Sequence, residues 1–110
     1  TTRPVLVDFW APWCAPCRAF APVFEATAAR HPDILFAKVD TEQQQEIAAH
    51  FGIRSIPTLM VFRDDIVVFA EAGALPAAAL EEVISAARAL DMDEVRREIA
   101  TQEAAAGPAA

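Results

Sequence analysis

Along the chain, short apolar runs alternate with stretches whose apolar positions recur every three to four residues. Val5 to Phe9 is β-branched and apolar apart from Asp8, the pattern of a strand covered on both faces. Pro12 ends it. From Cys14 to about Arg30 the spacing turns helical, with Phe20, Val23, Phe24, Thr27 and Ala28 on one face. Pro22 inside that helix predicts a kink, and His31-Pro32-Asp33 predicts its end. Ile34 to Val39 reads as a second strand. Thr41 and Gln44 fit a capping box for a short helix reaching Phe51, with Gly52 as its C-cap. A third strand spans Thr58 to Phe62, Asp64-Asp65 turns the chain, and Ile66 to Phe69 is its hairpin partner. A helix from about Pro76 to Leu90 carries Leu80, Val83, Ile84, Ala87 and Leu90 at helical spacing. Asp91 with Glu94 opens another, with Met92, Val95 and Ile99 on one side, and residues 104–110 read as a flexible tail. The order β-α-β-α-β-β-α plus one helix predicts an α/β domain over 1–103, its first strands parallel and its last pair a hairpin.

Composition narrows the partners. The chain has 110 residues, 55% hydrophobic and 23% charged, enough for one domain with a core and too few for two. Nine basic against sixteen acidic residues give a net charge of −7, with Arg96-Arg97 the one adjacent basic pair. Nucleic acid and anionic membrane surfaces are therefore excluded as partners. No apolar run approaches the roughly 20 residues that span a bilayer.

The chemistry concentrates in residues 5–17, which hold both cysteines. At the first and fourth positions of a helical turn, Cys14 and Cys17 share a face and can form a disulfide. Cys14 would stand at the helix N-terminus, where free N–H groups and the helix dipole favour a thiolate and make it the nucleophile. Cys17, one turn inside, would resolve the mixed disulfide. A purely structural disulfide would close a very short loop, where the entropic gain is smallest. Zinc needs four ligands, and His31 and His50, the two histidines, fit no such spacing; both read as solvated helix-end or loop residues. Asp8 lies in an apolar strand, where desolvation should raise its pKa and suit it to accept the Cys17 proton. The plainer reading pairs it with Lys38 on the neighbouring strand, and both can hold. Pro57 stands at the mouth of a strand, where a missing N–H is tolerated. Its bond to Ile56 is trans by default, and a cis bond would free the Ile56 backbone to meet an extended peptide.

Val7-Asp8-Phe9-Trp10-Ala11-Pro12-Trp13-Cys14-Ala15-Pro16-Cys17, Ala37 to Asp40, Phe51 to Thr58, and Gly73-Ala74-Leu75 together resemble bacterial thioredoxins. The likeness runs in order from about Val5 to Leu90. It implies the thioredoxin fold, here a mixed sheet of about four strands flanked by helices. It further implies an exposed nucleophile at Cys14, a resolving Cys17, a buried Asp8 with Lys38 beside it, and a cis proline at Pro57. Trp13, Pro16, Ile56, Pro57 and Gly73 would form the docking surface for protein disulfides. The chain would bind no cofactor, and its Cys14–Cys17 disulfide would be recycled by a thioredoxin reductase using NADPH and FAD. A cytoplasmic monomer is expected. An oxidase or isomerase of an oxidising compartment, or a non-catalytic binding subunit, are the alternatives. Three departures stand out. Ala15 replaces a glycine between the cysteines, and Asp64-Asp65 replaces a glycine-containing turn. The strand and helix that precede residue 5 in the family are not found here, so the strand leading to the cysteines would lose a neighbour, and upstream residues, the helix from Asp91 or a second chain would have to cover that edge.

Overall fold

In the computed structural model, residues 3–107 are described. The elements are β1 Val5–Trp10, α1 Ala15–Arg30, β2 Leu35–Asp40, α2 Gln45–His50, β3 Thr58–Arg63, β4 Ile66–Ala72, α3 Ala77–Ala89 and α4 Met92–Ala106. One four-stranded sheet has the order β2-β1-β3-β4. β1 runs parallel to β2 and antiparallel to β3, so Asp8 is flanked by Lys38 on one side and Leu59 on the other. The mixed sheet follows from the connections: α1 carries the chain back between parallel strands, while Asp64-Asp65 simply reverses it.

Alternation along β1 divides the core. Leu6 faces α1 and α3, packing with Phe20, Phe24, Leu59, Leu80 and Ile84. Val7 and Phe9 face the other way, with Met60 and the partly buried Phe51, Ile53 and Phe62. Burying a leucine such as Leu6 or Leu80 contributes about 1.5–3 kcal/mol, so the α1/α3 layer is the main source of stability. Polar ties secure it. Glu81 of α3 accepts from Arg30 at 3.0 Å and bonds His31, while Arg88 forks onto Asp33. His31 is thus a half-buried tie between α1 and α3 and not a solvated residue, whereas His50 is exposed at the end of α2, edge-on to Phe51 with ring centres 4.9 Å apart. Arg63 closes the end of α3, donating to the carbonyls of Ala87 at 3.0 Å and Leu90 at 2.8 Å.

The structure departs from the sequence reading in several places. The capping box at Thr41 and Gln44 does not form. Thr41 donates instead to the Trp10 carbonyl, Asp40 accepts from the Glu42 and Gln43 amides, and α2 starts at Gln45 without a side-chain cap. β4 continues past Phe69 to Ala72, because Met60 to Thr58 offer it partners. Asp91 does cap α4, accepting from the amides of Asp93 and Glu94. That helix continues to Ala106, into the stretch read as tail, since alanine is the best helix former; Gly107 ends it at φ 70°. Residues 108–110 lie outside the described residues. α4 meets the β4 side of the sheet, forming a groove with Ile66, Val67 and Val68; the strand leading to the cysteines, β1, lies between β2 and β3 and keeps both neighbours, so among the described residues β2 is the edge strand and not β1.

Asp64 and Asp65 both adopt left-handed backbone, φ 53° and 64°, the geometry of a two-residue hairpin turn that glycine suits best. Asp64 also receives Arg96 at 3.0 Å, so Asp65 is the position to relax. Asp65→Gly is expected to stabilise the fold by about 0.5–1 kcal/mol, read as a higher urea midpoint at unchanged slope.

Candidate active site

The loop from Ala11 to Cys14 carries the chain from the end of β1 into α1. Cys14 N–H donates to the Ala11 carbonyl at 3.1 Å, and the Cys14 carbonyl accepts from Arg18 N–H at 3.1 Å. Cys14 is the N-cap of α1, extended at φ −82° and ψ 109°, and its sulfur accepts the Cys17 N–H at 3.2 Å. A sulfur here does what a serine or aspartate oxygen does at other helix starts: it satisfies an orphan amide. The first turn holds no acidic side chain, so nothing opposes the preference of the helix N-terminus for a thiolate. Pro16 near the helix start costs no hydrogen bond.

Cys14 and Cys17 are joined as a disulfide, Cα atoms 5.2 Å apart. With Ala11 they form a small buried cluster against Trp10 and Ile56. Cys14 is only 4% exposed, so the open nucleophile expected from the resemblance is instead largely covered by its neighbours. Its sulfur lies 3.8 Å from the Ile56 carbonyl oxygen.

The rim assembles from three further places in the chain. Ile56-Pro57 is cis, as expected, with Pro57 buried at the start of β3 and Ile56 half-exposed. Thr58 Oγ1 donates to the Ser55 carbonyl at 2.6 Å, and Gly73 N–H to the Pro57 carbonyl at 2.8 Å. Gly73 has φ 109°, which only glycine adopts without strain. Trp13 is 66% exposed, and its indole N–H donates to Glu42 at 2.8 Å. Arg18 fixes the loop through the Pro12 carbonyl at 2.8 Å. Glu42, Thr58 and Arg18 went unrecognised in the sequence. Arg18, one residue past Cys17, and Thr58, one residue past Pro57, had local clues; the Glu42 contact spans 29 positions and leaves no sequence pattern.

Asp8 sits beneath. It is fully buried in mid-strand, and neither carboxylate oxygen has a hydrogen-bond partner among the described residues. It shares the Leu6 face of β1, which α1 covers with the stripe Cys17, Phe20 and Phe24. Burial pushes its carboxyl up to about 6, with the Lys38 ammonium pulling weakly the other way. Lys38 does not pair with it directly: its Nζ lies 4.3 Å from the centre of the Trp10 ring. The plainer reading of an Asp8–Lys38 ion pair is therefore corrected to an influence at a distance. Among the described residues no group of three or more His, Cys, Asp or Glu side chains is placed to hold a metal ion. Among the described residues no helix is long and apolar enough to cross a membrane.

This geometry has counterparts. A family model described as Thioredoxin matches residues 1–86. Putative thioredoxin 2 of Streptomyces coelicolor is 60% identical over 103 residues, 94% of this chain and 77% of that protein. The thioredoxin of Bacillus subtilis is 45% identical over 82 residues, 74% of this chain and 79% of that protein. The X-ray structure of Fasciola hepatica thioredoxin superposes with a TM-score of 0.73 at 40% identity, covering 77% of this chain and 81% of that one.

An acid whose folded pKa is raised binds its proton more tightly in the fold. Stability tied to Asp8 is therefore full below about 4 and falls as pH rises towards 6. Asp8→Asn cannot ionise. Its stability relative to wild type should rise by about 2–3 kcal/mol between pH 4 and pH 7.5, taking about 1.4 kcal/mol per pH unit. Urea unfolding at the two pH values checks this, and a pH-independent difference would return Asp8 to an ordinary pKa.

Proposed function

The chain belongs to the thioredoxin family and is a thiol–disulfide oxidoreductase; from that premise we propose how its residues divide the work of reducing protein disulfides. The observation that carries the reading is Cys14 at the N-cap of α1, bonded to a Cys17 buried one turn inside. Disulfide-containing proteins and a thioredoxin reductase are the general partners of this family.

In the reduced protein, Cys14 is the nucleophile. Its thiolate attacks one sulfur of the substrate disulfide, and the other substrate sulfur leaves as a thiolate that takes up a proton. Asp8 accepts the proton of Cys17, directly or through a water. With a pKa of about 6 it is mostly ionised at pH 7 yet basic enough to take that proton. The Cys17 thiolate then attacks Cys14 Sγ, closing the Cys14–Cys17 disulfide and releasing the substrate dithiol. Two electrons have passed from this chain to the substrate. Lys38 tunes Asp8 through its field. Trp13, Pro16, Ile56, Pro57 and Gly73 form the docking rim, supported by the fixed Thr58–Ser55 and Gly73–Pro57 bonds. The reductase returns the electrons, drawing on NADPH through its own flavin. We place the protein in the cytoplasm, where a reducing poise keeps such a pair in its dithiol form, and read it as a monomer built from a thioredoxin domain with a C-terminal helical extension.

Insulin reduction coupled to NADPH and a thioredoxin reductase tests this. Cys14→Ser is expected to abolish turnover, and Cys17→Ser to accumulate mixed disulfides that dithiothreitol releases. Turnover surviving Cys14→Ser would remove the nucleophile from its role. Asp8→Asn should slow the resolving step about ten- to a hundredfold at pH 7 and erase the inflection near pH 6. An unchanged pH–rate profile would leave Asp8 without a part in the chemistry.

A further inference from the structure

Beside Cys14, between Trp13 and the loop that precedes Pro57, lies an open cleft of about 200 Å³ lined by Trp13, Thr41, Ile53, Arg54, Ser55 and Ile56. Arg54 is its one ionisable wall residue. A second cleft on the other side of the same loop also includes Arg54, but there Glu71 lines the same space. The Trp13 cleft therefore has a positive wall, and the Glu71 cleft has a mixed one.

Arg54 is exposed and makes no ion pair or hydrogen bond among the described residues. The other cations near the catalytic end of the sheet are engaged. Arg18 donates to the Pro12 carbonyl, and Lys38 lies over Trp10. Glu42, the nearby acid, is held by the Trp13 indole N–H and does not line the cleft. A guanidinium left free beside an exposed tryptophan, in a chain of net charge −7, has a fork of donors that matches a carboxylate.

We infer that Arg54 is a specificity-determining residue, selecting protein disulfides whose cystine is flanked by acidic side chains. This rests on the reading of Cys14 as nucleophile. An apolar stretch of the substrate lies on Trp13 and Ile56, and an adjacent aspartate or glutamate reaches Arg54. The preference runs against the field of the whole chain, which repels acidic peptides and attracts basic ones. Removing the Arg54 charge should therefore abolish the preference, and replacing it with an acid should reverse it.

The test uses two cystine peptides that differ only in carrying Glu or Lys on either side of the cystine. Their kcat/KM values are compared for wild type, Arg54→Ala, Arg54→Lys and Arg54→Glu. An exposed ion pair of this kind supports a preference for the Glu peptide of about two- to fivefold in wild type at low salt. The difference is expected in KM. Arg54→Lys should retain part of the preference, Arg54→Ala should lose it, and Arg54→Glu should invert it. Raising the salt from about 0.01 M to about 1 M shrinks the screening length from roughly 30 Å to 3 Å and should erase it. Arg54→Ala keeping the full glutamate preference overturns the inference, as does a wild type indifferent to flanking charge. Wild-type reduction of 2-hydroxyethyl disulfide, an uncharged disulfide with no flanking chain, is measured alongside. Its absence would overturn the thiol-exchange reading and this inference with it.

Discussion

A carboxylate at the centre of a buried strand is the constraint to which the rest of the structure answers. Asp8 can be fully enclosed only because β1 has a strand on each side and α1 across its face. Among the described residues no donor compensates its oxygens, so the fold accepts a group that destabilises it whenever that group is charged. A leucine there would serve packing better. The proposed proton transfer gives such an acid, its pKa pushed to about 6 by burial, a use, and Cys17 heads the α1 stripe that covers the same face.

The placement of the cysteines follows from the same strand. β1 ends at Trp10, and the Ala11–Cys14 turn delivers Cys14 to the start of α1 directly above it. β3 is antiparallel to β1, so its first residue and the cis Pro57 lie beside the end of β1. β4 returns to the same end, bringing Gly73 back to Pro57. Three remote segments converge because the strand directions require it, and short hydrogen bonds hold the converged loops. Rigidity at the rim costs little here, since the backbone groups involved would otherwise need water.

What the sequence shows by periodicity, the structure keeps. The apolar runs became β1 to β4, and the Phe20–Phe24 face of α1 and the Leu80–Ile84 face of α3 enclose the core. The C-x-x-C spacing and the position of Asp8 made the chemical centre legible, because local geometry alone puts Cys14 at a helix start. The failures are of another kind. Thr41 has the side chain of an N-cap, but the Trp10 carbonyl on the neighbouring strand claims it. Lys38 is opposite Asp8 in register, yet the face of Trp10 draws its ammonium away from a carboxyl that burial tends to keep neutral. Arg63 closing α3 and Glu42 holding Trp13 bridge 24 and 29 positions. Such pairings depend on the finished fold, and no periodicity announces them.

The same strand directions separate the chemistry from α4. β3 begins at the catalytic end with Thr58 and finishes at Arg63, next to the Asp64-Asp65 turn. Arg96 of α4 reaches Asp64 at that far end, and Val95 and Ile99 line the groove against β4. α4 is therefore fastened to the end of the sheet opposite Cys14 and Pro57. The family match, which ends at residue 86, stops short of it as well. Site geometry is set by β1, β3, α1 and the loops at one end, while α4 bears on the hairpin at the other. Changes in α4 can then alter the stability of the hairpin without moving a reacting atom.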